Sequence, residues 1–249
     1  MAIIILSMAT IYSHIAQAAQ CGQKLLFVLI DPDKEVDSMK IIPYLSEVDV
    51  ILVGGSTGER IEDCVAMLKS HVLCPVVLFP GNVAQFTPSA DAILFLTLLT
   101  ARSAEVLIEP HIHIAPAIHQ SNIESIPMGY ILIDGGKQSS VERVSKSVPI
   151  SATDVSMVVR TAIAGELLGK KLLYLEAGSG ALYPIAAPLI TAVKENTSIP
   201  LIVGGGITTP KGMLDAFRAG ADVVVIGNHF EKYPEEIPHF IEQKRKIYG

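Results

Sequence analysis

The sequence predicts an α/β protein in which eight parallel strands alternate with helices and close into a (β/α)8 barrel. Eight short runs rich in Val, Ile and Leu recur along the chain, and most of them end at Gly, Asp or Glu. The runs are apolar throughout rather than alternating, as strands covered on both faces require. Amphipathic helical patterns separate several of them. The length of 249 residues also suits one such barrel, which typically needs ~250 residues.

The predicted strands follow the apolar runs in chain order. They are Leu25–Ile30, Val50–Val53, Val76–Phe79, Ala92–Leu96, Tyr130–Ile133, Leu172–Glu176, Leu201–Val203 and Val223–Ile226. The predicted helices are Ile11–Gly22, Val36–Ser46, Glu59–Lys69, Asp154–Leu168, Tyr183–Glu195 and Pro210–Ala219. We expect one domain over residues 1–249, in which residues 1–24 form an N-terminal extension and the helix before the first strand.

Two connections depart from this regular alternation. Pro80–Ser89 is too short and too rich in turn residues for a full helix, so a loop is expected to replace the third helix. Ser103–Gln120 contains Pro110 and Pro116, and proline breaks or kinks a helix because it lacks a backbone N–H donor. We therefore predict a barrel that lacks its third helix and has a broken or kinked helix after the fourth strand.

Composition narrows the class of function. The formal charge of −6 disfavours a general nucleic-acid binder, because such proteins carry a basic excess. The mean hydropathy of +0.46 is high for a soluble protein, and a membrane segment, a deeply buried sheet or an apolar groove would each explain it. Met1–Tyr12 is the best candidate span, but it is shorter than the ~20 residues that cross a bilayer. We expect a buried sheet and an apolar groove instead.

The N-terminus and the cysteines bear on localisation. Met1–Tyr12 lacks the basic residues of a signal peptide, although Ala16–Cys21 resembles a cleavage site and leaves secretion open as an alternative. Cys21, Cys64 and Cys74 form neither a CxxC pair nor an even set for disulfides. We therefore expect a cytoplasmic protein with reduced thiols.

Glycine-rich turns follow the last three predicted strands. They are Gly178-Ser179-Gly180, Gly204-Gly205-Gly206 and Gly227-Asn228. The active site of such a barrel lies at the C-terminal ends of its strands, and the loops after strands 7 and 8 frequently bind phosphate. Backbone N–H groups in these turns form a concave anion site beside helix N-termini. Any one turn is equally explained as a tight connection, but together the three predict a phosphate monoester site.

Polar residues also follow the first two predicted strands, which are neighbours in a barrel. They read Asp31-Pro32-Asp33 and Gly54-Gly55-Ser56. A carboxylate and a hydroxyl with little other protein ligation suit Mg²⁺, which keeps waters and completes its shell with phosphate oxygens. The alternative for Asp33 is a helix N-cap. A diphosphate bound here through Mg²⁺ and a phosphate on the opposite rim would form a two-substrate site.

Tyr174 and Glu176 lie two residues apart, so strand alternation places both side chains on the same face. Glu176 ends its strand beside the glycine-rich turns. A carboxylate there can accept a proton from a substrate hydroxyl, and a tyrosine can orient or relay that proton. The alternative is a structural Glu176 that accepts a loop N–H.

These residues, in this order, resemble the geranylgeranylglyceryl phosphate synthase and PcrB family of prenyltransferases. The resemblance spans residues 29–228 and follows the branch of the family with DPDK and AGSG motifs. The matching segments are Leu29–Lys34 (LIDPDK), Ile51–Ser56 (ILVGGS), Leu78–Asn82 (LFPGN), Gly129–Gly136 (GYILIDGG), Tyr174–Gly180 (YLEAGSG), Leu201–Ile207 (LIVGGGI) and Val225–Asn228 (VIGN).

The resemblance implies a fold, a reaction and a set of site residues. The fold is a modified TIM barrel without the third helix. The reaction joins a prenyl diphosphate, geranylgeranyl diphosphate above all, to the C3 hydroxyl of sn-glycerol 1-phosphate, for ether-phospholipid synthesis. Asp31 and Ser56 should bind Mg²⁺, and Glu176 should accept the proton beside Tyr174. The residues implied to hold glycerol phosphate are Tyr174, Leu175, Glu176, Ala177, Gly178, Ser179, Gly180, Gly205, Gly206, Gly227 and Asn228.

The resemblance also implies a homo-oligomer, a dimer or a hexamer, with at most transient membrane contact for product release. Two positions depart from other family members. Leu29 stands where one branch has a Lys, which leaves Lys34 as the basic residue near the phosphates, and Ala101-Arg102-Ser103 replaces Gly-Arg-Asn. The candidate lining of a prenyl groove is Leu94, Leu96, Leu98, Leu99, Phe79 and Ile131.

Two other functions remain open at this point. One is another phosphate-handling barrel, such as a sugar-phosphate isomerase or synthase, with Asp31 and Asp134 as its acid/base pair. The other is a non-enzymatic peripheral lipid-binding protein that uses Met1–Tyr12. No polybasic segment accompanies that stretch, which disfavours the second alternative.

Overall fold

Eight parallel strands form a closed barrel in the computed structural model, which describes residues 10–34, 40–55, 60–82 and 85–248. Each strand pairs with the next in chain order, and β8 pairs with β1. The strands are β1 (Leu25–Ile30), β2 (Val50–Val53), β3 (Val76–Leu78), β4 (Ala92–Leu98), β5 (Glu124–Leu132), β6 (Leu172–Glu176), β7 (Leu201–Gly204) and β8 (Val223–Ile226). The predicted TIM barrel is confirmed.

The strands are apolar throughout because each of them separates two apolar layers. In β1, Leu25 and Phe27 point into the barrel, whereas Leu26, Val28 and Ile30 pack under the surrounding helices. Side chains on both faces of a strand are therefore buried among apolar residues. For this reason the strand sequences do not alternate between polar and apolar residues. The same continuous burial holds over the whole of β2, β7 and β8.

The helices surround the barrel in the expected order. They are α1 (Ile11–Gln20), α2 (Ile61–His71), α3 (Ala104–Leu107), α4 (Glu109–Gln120), α5 (Ser140–Ser145), α6 (Val155–Leu167), α7 (Ala187–Asn196), α8 (Pro210–Arg218), α9 (Asn228–Lys232) and α10 (Ile237–Tyr248). The five predicted helices that correspond to α1, α2, α6, α7 and α8 are confirmed, with shifts at their ends. None of the helices in the described residues has both the length and the apolarity needed to cross a bilayer.

Two predictions about elements were wrong. The helix predicted over Val36–Ser46 is only a 3-10 turn at Ile42–Tyr44 in its described part, and residues 35–39 lie outside the described residues. Pro43 accounts for this, because it has no backbone N–H for the hydrogen bond that the interior of an α-helix requires. Strand β5 begins at Glu124 rather than Tyr130. Seven of its residues pair with β4, and this pairing continues through Pro127.

Both irregular connections are confirmed. The described residues between β3 and β4 contain no helix. The stretch after β4 breaks at Ile108 into α3 and α4, with Pro110 in the first turn of α4 and Pro116 inside it. This geometry leaves the barrel open at the C-terminal ends of β3 and β4. Helix α1 covers the opposite end, where Ile15 and Ala18 join the apolar layer inside the barrel.

Candidate active site

A cavity of about 360 Å³ opens at the C-terminal ends of the strands. Its volume falls within the range of roughly 300–1,000 Å³ typical of small-molecule sites. One side is polar and is formed by the loops after β1, β2, β6, β7 and β8. The other side is apolar and is formed by β4 together with α3, α4 and α5. A ligand with an anionic head and an apolar tail matches this division.

Glu176 lies at the polar end of the cavity, and its side chain is almost fully buried. The Gly178 N–H donates to Glu176 Oε1 at 2.7 Å. The Tyr174 hydroxyl also donates to this carboxylate. Burial raises the pKa of Glu176 to about 7, because the charged form loses solvation and the two donors only partly compensate. At neutral pH this carboxyl group can therefore both accept and release a proton.

Tyr174 is buried inside the barrel, where its ring stacks against Phe79 and Tyr130 with centroid distances of 5.4 and 5.2 Å. Burial, followed by the charge of Glu176, raises its pKa well above the usual range. The phenol therefore stays protonated and remains a donor to Glu176. Gly204 permits this arrangement, since a Cβ at that position would lie 2.1 Å from the Tyr174 hydroxyl oxygen.

The glycine-rich turns after β6, β7 and β8 meet around Glu176. Gly205 has a φ of +84°, and a Cβ there would lie 2.5 Å from Glu176 Oε1. Only glycine combines that conformation with so close an approach. The Asn228 side-chain amide donates to Ser179 Oγ at 3.0 Å, which joins the turn after β8 to the turn after β6. Nine of the eleven residues predicted to hold glycerol phosphate line this cavity, whereas Leu175 and Ala177 belong to the apolar layer under the helices. The individual roles of these residues stay predictions.

Asp31 directly follows β1 and lines the same cavity. Burial raises the pKa of its carboxyl group, while the Asp33 N–H, 3.1 Å from Oδ1, and the Lys34 ammonium oppose that change. The carboxylate packs directly on the turn after β2, because a Cβ at Gly55 would lie 2.2 Å from Asp31 Oδ1. Ser56, the second predicted metal ligand, lies outside the described residues. Among those described, no three acidic, His or Cys side chains cluster as a metal site.

Gln85 is a buried residue of the site that the sequence did not reveal. Its side-chain amide donates to the Gly55 carbonyl, and its Oε1 accepts the N–H groups of Gly81 at 2.8 Å and Gly55 at 3.3 Å. The side chain thereby fastens the turn after β2 to the turn after β3. It does so in the connection between β3 and β4, whose described residues contain no helix. A lone Gln in a loop carries no recognisable signal.

Lys34 and Glu231 form a second polar group, which the sequence motifs do not predict. The Lys34 ammonium lies 2.5 Å from Glu231 Oε2 and 2.6 Å from Asn228 Oδ1. The other oxygen of Glu231 accepts the Asp31 N–H at 2.8 Å. Helix α9 supplies both Asn228 and Glu231. A Glu in the first turn of a helix is common for electrostatic reasons alone, so its position gave no functional signal.

The apolar side of the cavity includes four of the six predicted groove residues, Phe79, Leu94, Leu96 and Leu98. The predictions for Leu99 and Ile131 were wrong. Ile131 lies on the outward face of β5 and is buried under the helices. Leu99, the residue after β4, packs against that same layer. Further lining residues, which the sequence did not indicate, are Val106, His111, Ile114, Val141 and Val144.

Asp134 takes no part in the cavity. It is exposed, and its Oδ1 accepts the Gly136 N–H at 2.8 Å. The geometry therefore does not pair it with Asp31 as an acid and base. Met1–Ala9, the main part of the stretch assigned to a lipid-binding alternative, lies outside the described residues.

Comparisons with known proteins agree with this geometry. Geranylgeranylglyceryl phosphate synthase from Flavobacterium johnsoniae is 46% identical over 230 residues, covering 90% of this chain and 95% of that protein. The same-named protein from Zunongwangia profunda is 47% identical over 229 residues, covering 90% and 98%.

A solved structure shares the fold. The crystal structure of (S)-3-O-geranylgeranylglyceryl phosphate synthase from Thermoplasma acidophilum, in complex with its substrate sn-glycerol-1-phosphate, superposes with a TM-score of 0.88 at 31% identity and covers 95% of this chain and 99% of that one. A family model described as the PcrB family matches residues 20–244. Because this match includes all eight strands of the barrel, the chain belongs to the PcrB family.

Proposed function

We propose that this protein is a Mg²⁺-dependent prenyltransferase. It joins a prenyl diphosphate, most favourably geranylgeranyl diphosphate, to the C3 hydroxyl of sn-glycerol 1-phosphate through an ether bond and releases diphosphate. One observation carries the proposal: a single cavity combines a buried carboxylate of pKa about 7, a glycine-rich rim and an apolar groove. The names of the relatives and the substrate in the Thermoplasma acidophilum complex support the same reaction.

In this proposal the glycerol phosphate lies across the turns after β6, β7 and β8. Backbone N–H groups of these turns bind the phosphate, and Ser179 and Asn228 supply side-chain donors. The C3 hydroxyl then lies at Glu176, which accepts its proton as the ether bond forms. Tyr174 remains protonated and holds the carboxylate in position. The raised pKa of Glu176 suits this role, because a base works best when its pKa lies near the working pH.

Asp31 and Ser56 are the residues that would hold Mg²⁺. The donor set fits this ion, since Asp31 offers a hard oxygen ligand at the cavity and burial disfavours its uncompensated charge. When bound, Mg²⁺ supplies positive charge to the departing diphosphate. Gln85 orients the turn that leads into Ser56 by holding Gly55.

The apolar groove would take the prenyl tail. Its walls come from β4 and from the broken helix α3–α4, so the missing third helix and the break at Ile108 together make room for it. Each methylene removed from water contributes about 0.8 kcal/mol, so a longer tail binds more tightly until the groove is full. The same walls keep water from the reacting allylic carbon.

The proposal also includes the pathway, the compartment and the oligomeric state of the enzyme. We infer synthesis of membrane ether phospholipids in the cytoplasm, which the free thiols of Cys21, Cys64 and Cys74 support. A dimer or hexamer is supported by exposed apolar side chains such as Leu167 and Leu168. The protein contacts the membrane transiently at the mouth of the groove and there releases the product with its apolar tail.

A direct incubation tests this function. The purified protein is mixed with Mg²⁺, radiolabelled sn-glycerol 1-phosphate and prenyl diphosphates of several lengths, and the organic phase is counted. We expect extractable product, most of it with the geranylgeranyl donor, and none when EDTA is added. The enantiomer sn-glycerol 3-phosphate serves as the matched control. Absence of product with every donor length would refute the proposal.

A further inference from the structure

Glu231 is a buried carboxylate at the cavity that the reaction scheme above does not use. Its side chain is only 5% exposed, although the residue lines the cavity. One oxygen, Oε1, accepts the Asp31 N–H at 2.8 Å. The other, Oε2, lies 2.5 Å from the Lys34 ammonium. A single side chain is thus bonded both to the backbone of the proposed metal loop and to the basic residue beside it.

Lys34 extends this connection across the cavity. Its ammonium lies 2.6 Å from Asn228 Oδ1 and 3.8 Å from Asp31 Oδ2. Asn228 in turn donates to Ser179. A positive charge is therefore held where the loop after β1 meets the turns after β6 and β8. In the proposed function, this is the boundary between the diphosphate site and the glycerol phosphate site.

The chemistry of the two partners requires a carboxylate at position 231. The Asp31 amide and the Lys34 ammonium are both donors, so the residue between them must accept at both of its terminal atoms. Ionised Glu has two acceptor oxygens, whereas Gln has one acceptor and one donor. Glu231→Gln therefore leaves a donor facing a donor at one end, whichever way the amide is turned.

We propose that Glu231 is a positioning residue that holds the Lys34 ammonium at the boundary of the two anion sites. An unrestrained lysine samples many rotamers and loses that freedom when it binds an anion. Held by Glu231 and Asn228, Lys34 is already ordered toward the incoming phosphate groups. This inference rests on the proposed function, because that function supplies the two anionic substrates.

The test compares Glu231→Gln with Glu235→Gln, an identical change at an exposed carboxylate in the next turn of the chain. Binding of sn-glycerol 1-phosphate is measured by calorimetry without metal, and KM and kcat are measured with Mg²⁺. We expect Glu231→Gln to weaken binding and raise KM by about tenfold or more, as the loss of a charge-assisted hydrogen bond does, with a smaller change in kcat. Glu235→Gln should stay within about twofold of the unmodified protein for both quantities, as an exposed site distant from the ligands does.

A double-mutant cycle separates positioning from a merely structural role. Lys34→Met removes one of the two donors, so Glu231→Gln is then free to accept the Asp31 N–H. The double variant should bind glycerol phosphate no more weakly than Lys34→Met alone. Additive losses, or unchanged binding in Glu231→Gln, would overturn the proposal. If Glu231→Gln does not fold by itself, restored folding in the double variant supports the proposal, and continued misfolding refutes it.

Failure of the proposed function gives a different result. The unmodified protein would then form no ether product with any prenyl donor, whereas failure of this inference leaves its turnover intact and removes only the difference between Glu231→Gln and Glu235→Gln.

Discussion

Replacing Glu176 with Gln should lower activity strongly and yet stabilise the folded protein at alkaline pH. The substitution preserves shape and both hydrogen bonds. Gln Oε1 can accept the Gly178 N–H, and the amide group can donate to the Tyr174 hydroxyl, which rotates to accept. What it removes is the buried negative charge. The Tyr174 O–H loses its carboxylate acceptor at every pH, so the part of the stability change that varies with pH isolates the effect of the charge.

The magnitude follows from the pKa of Glu176, which burial raises from 4.5 to about 7. At 1.36 kcal/mol per unit, ionising this group in the folded protein costs about 3 kcal/mol relative to the unfolded chain. The folded state binds the extra proton between these two pH values. Stability from this group is therefore fully present below pH ~4.5 and is lost as the pH rises through ~7. Glu176→Gln should escape that loss.

Urea unfolding at pH 5 and pH 8.5 measures this difference. Circular dichroism is the suitable signal, because the chain contains no tryptophan. We expect the variant to exceed the unmodified protein by about 2–3 kcal/mol at pH 8.5 and by much less at pH 5. Turnover should fall by about 10²–10⁴, the usual contribution of a general base, with glycerol phosphate binding largely retained. A difference in stability that does not change with pH, or a variant less stable at pH 8.5, would refute the reasoning.

Three further substitutions, one of them with a matched control, test other residues of the cavity. Tyr174→Phe removes a donor to the carboxylate, so the pKa of Glu176 should rise further and the profile of kcat/KM against pH should move to higher pH; an unmoved profile would contradict this. Gly205→Ala places a Cβ 2.5 Å from Glu176 Oε1 at a φ of +84° and should cost about 1–3 kcal/mol in urea unfolding, whereas Gly212→Ala in helix α8 should not destabilise. Asp31→Asn should raise the Mg²⁺ concentration for half-maximal activity at least tenfold, and an unchanged requirement would remove Asp31 from the metal site.

The barrel could be predicted because its signal is local and repeated. Each strand needs apolar residues on both faces, and a short apolar run records that requirement at each of the eight strands. The alternation of strands and helices does not predict helix α10, which follows the last strand. Its buried residues Ile237, Phe240, Ile241 and Lys244 nevertheless have helical spacing. The 3-10 turn at Ile42–Tyr44 shows the opposite error, in which a helical pattern is overridden by one proline.

The sequence could predict a site residue where the direction of its side chain follows from its position along one strand. Tyr174 and Glu176 share a face by alternation alone, and Asp31 directly follows a strand that must reach the open end of the barrel. Leu99 shows the limit of this reasoning, since its hydrophobicity suits a groove but its alternation directs it outward. Gln85 shows another, because an isolated amide gains meaning only from the two turns that it joins.

The amino-acid sequence by itself determined the strand order, the loop in place of the third helix and the set of motifs at the open end of the barrel. These features depend on residues that are neighbours in the chain and on the rule that parallel strands have their C-terminal ends at the same side of the barrel. Only the tertiary structure decided which side chains touch. Glu231 meets Asp31 and Lys34 across 200 and 197 residues of chain because β8 closes on β1. The raised pKa of Glu176 likewise arises from burial, a property of the folded barrel and not of any segment.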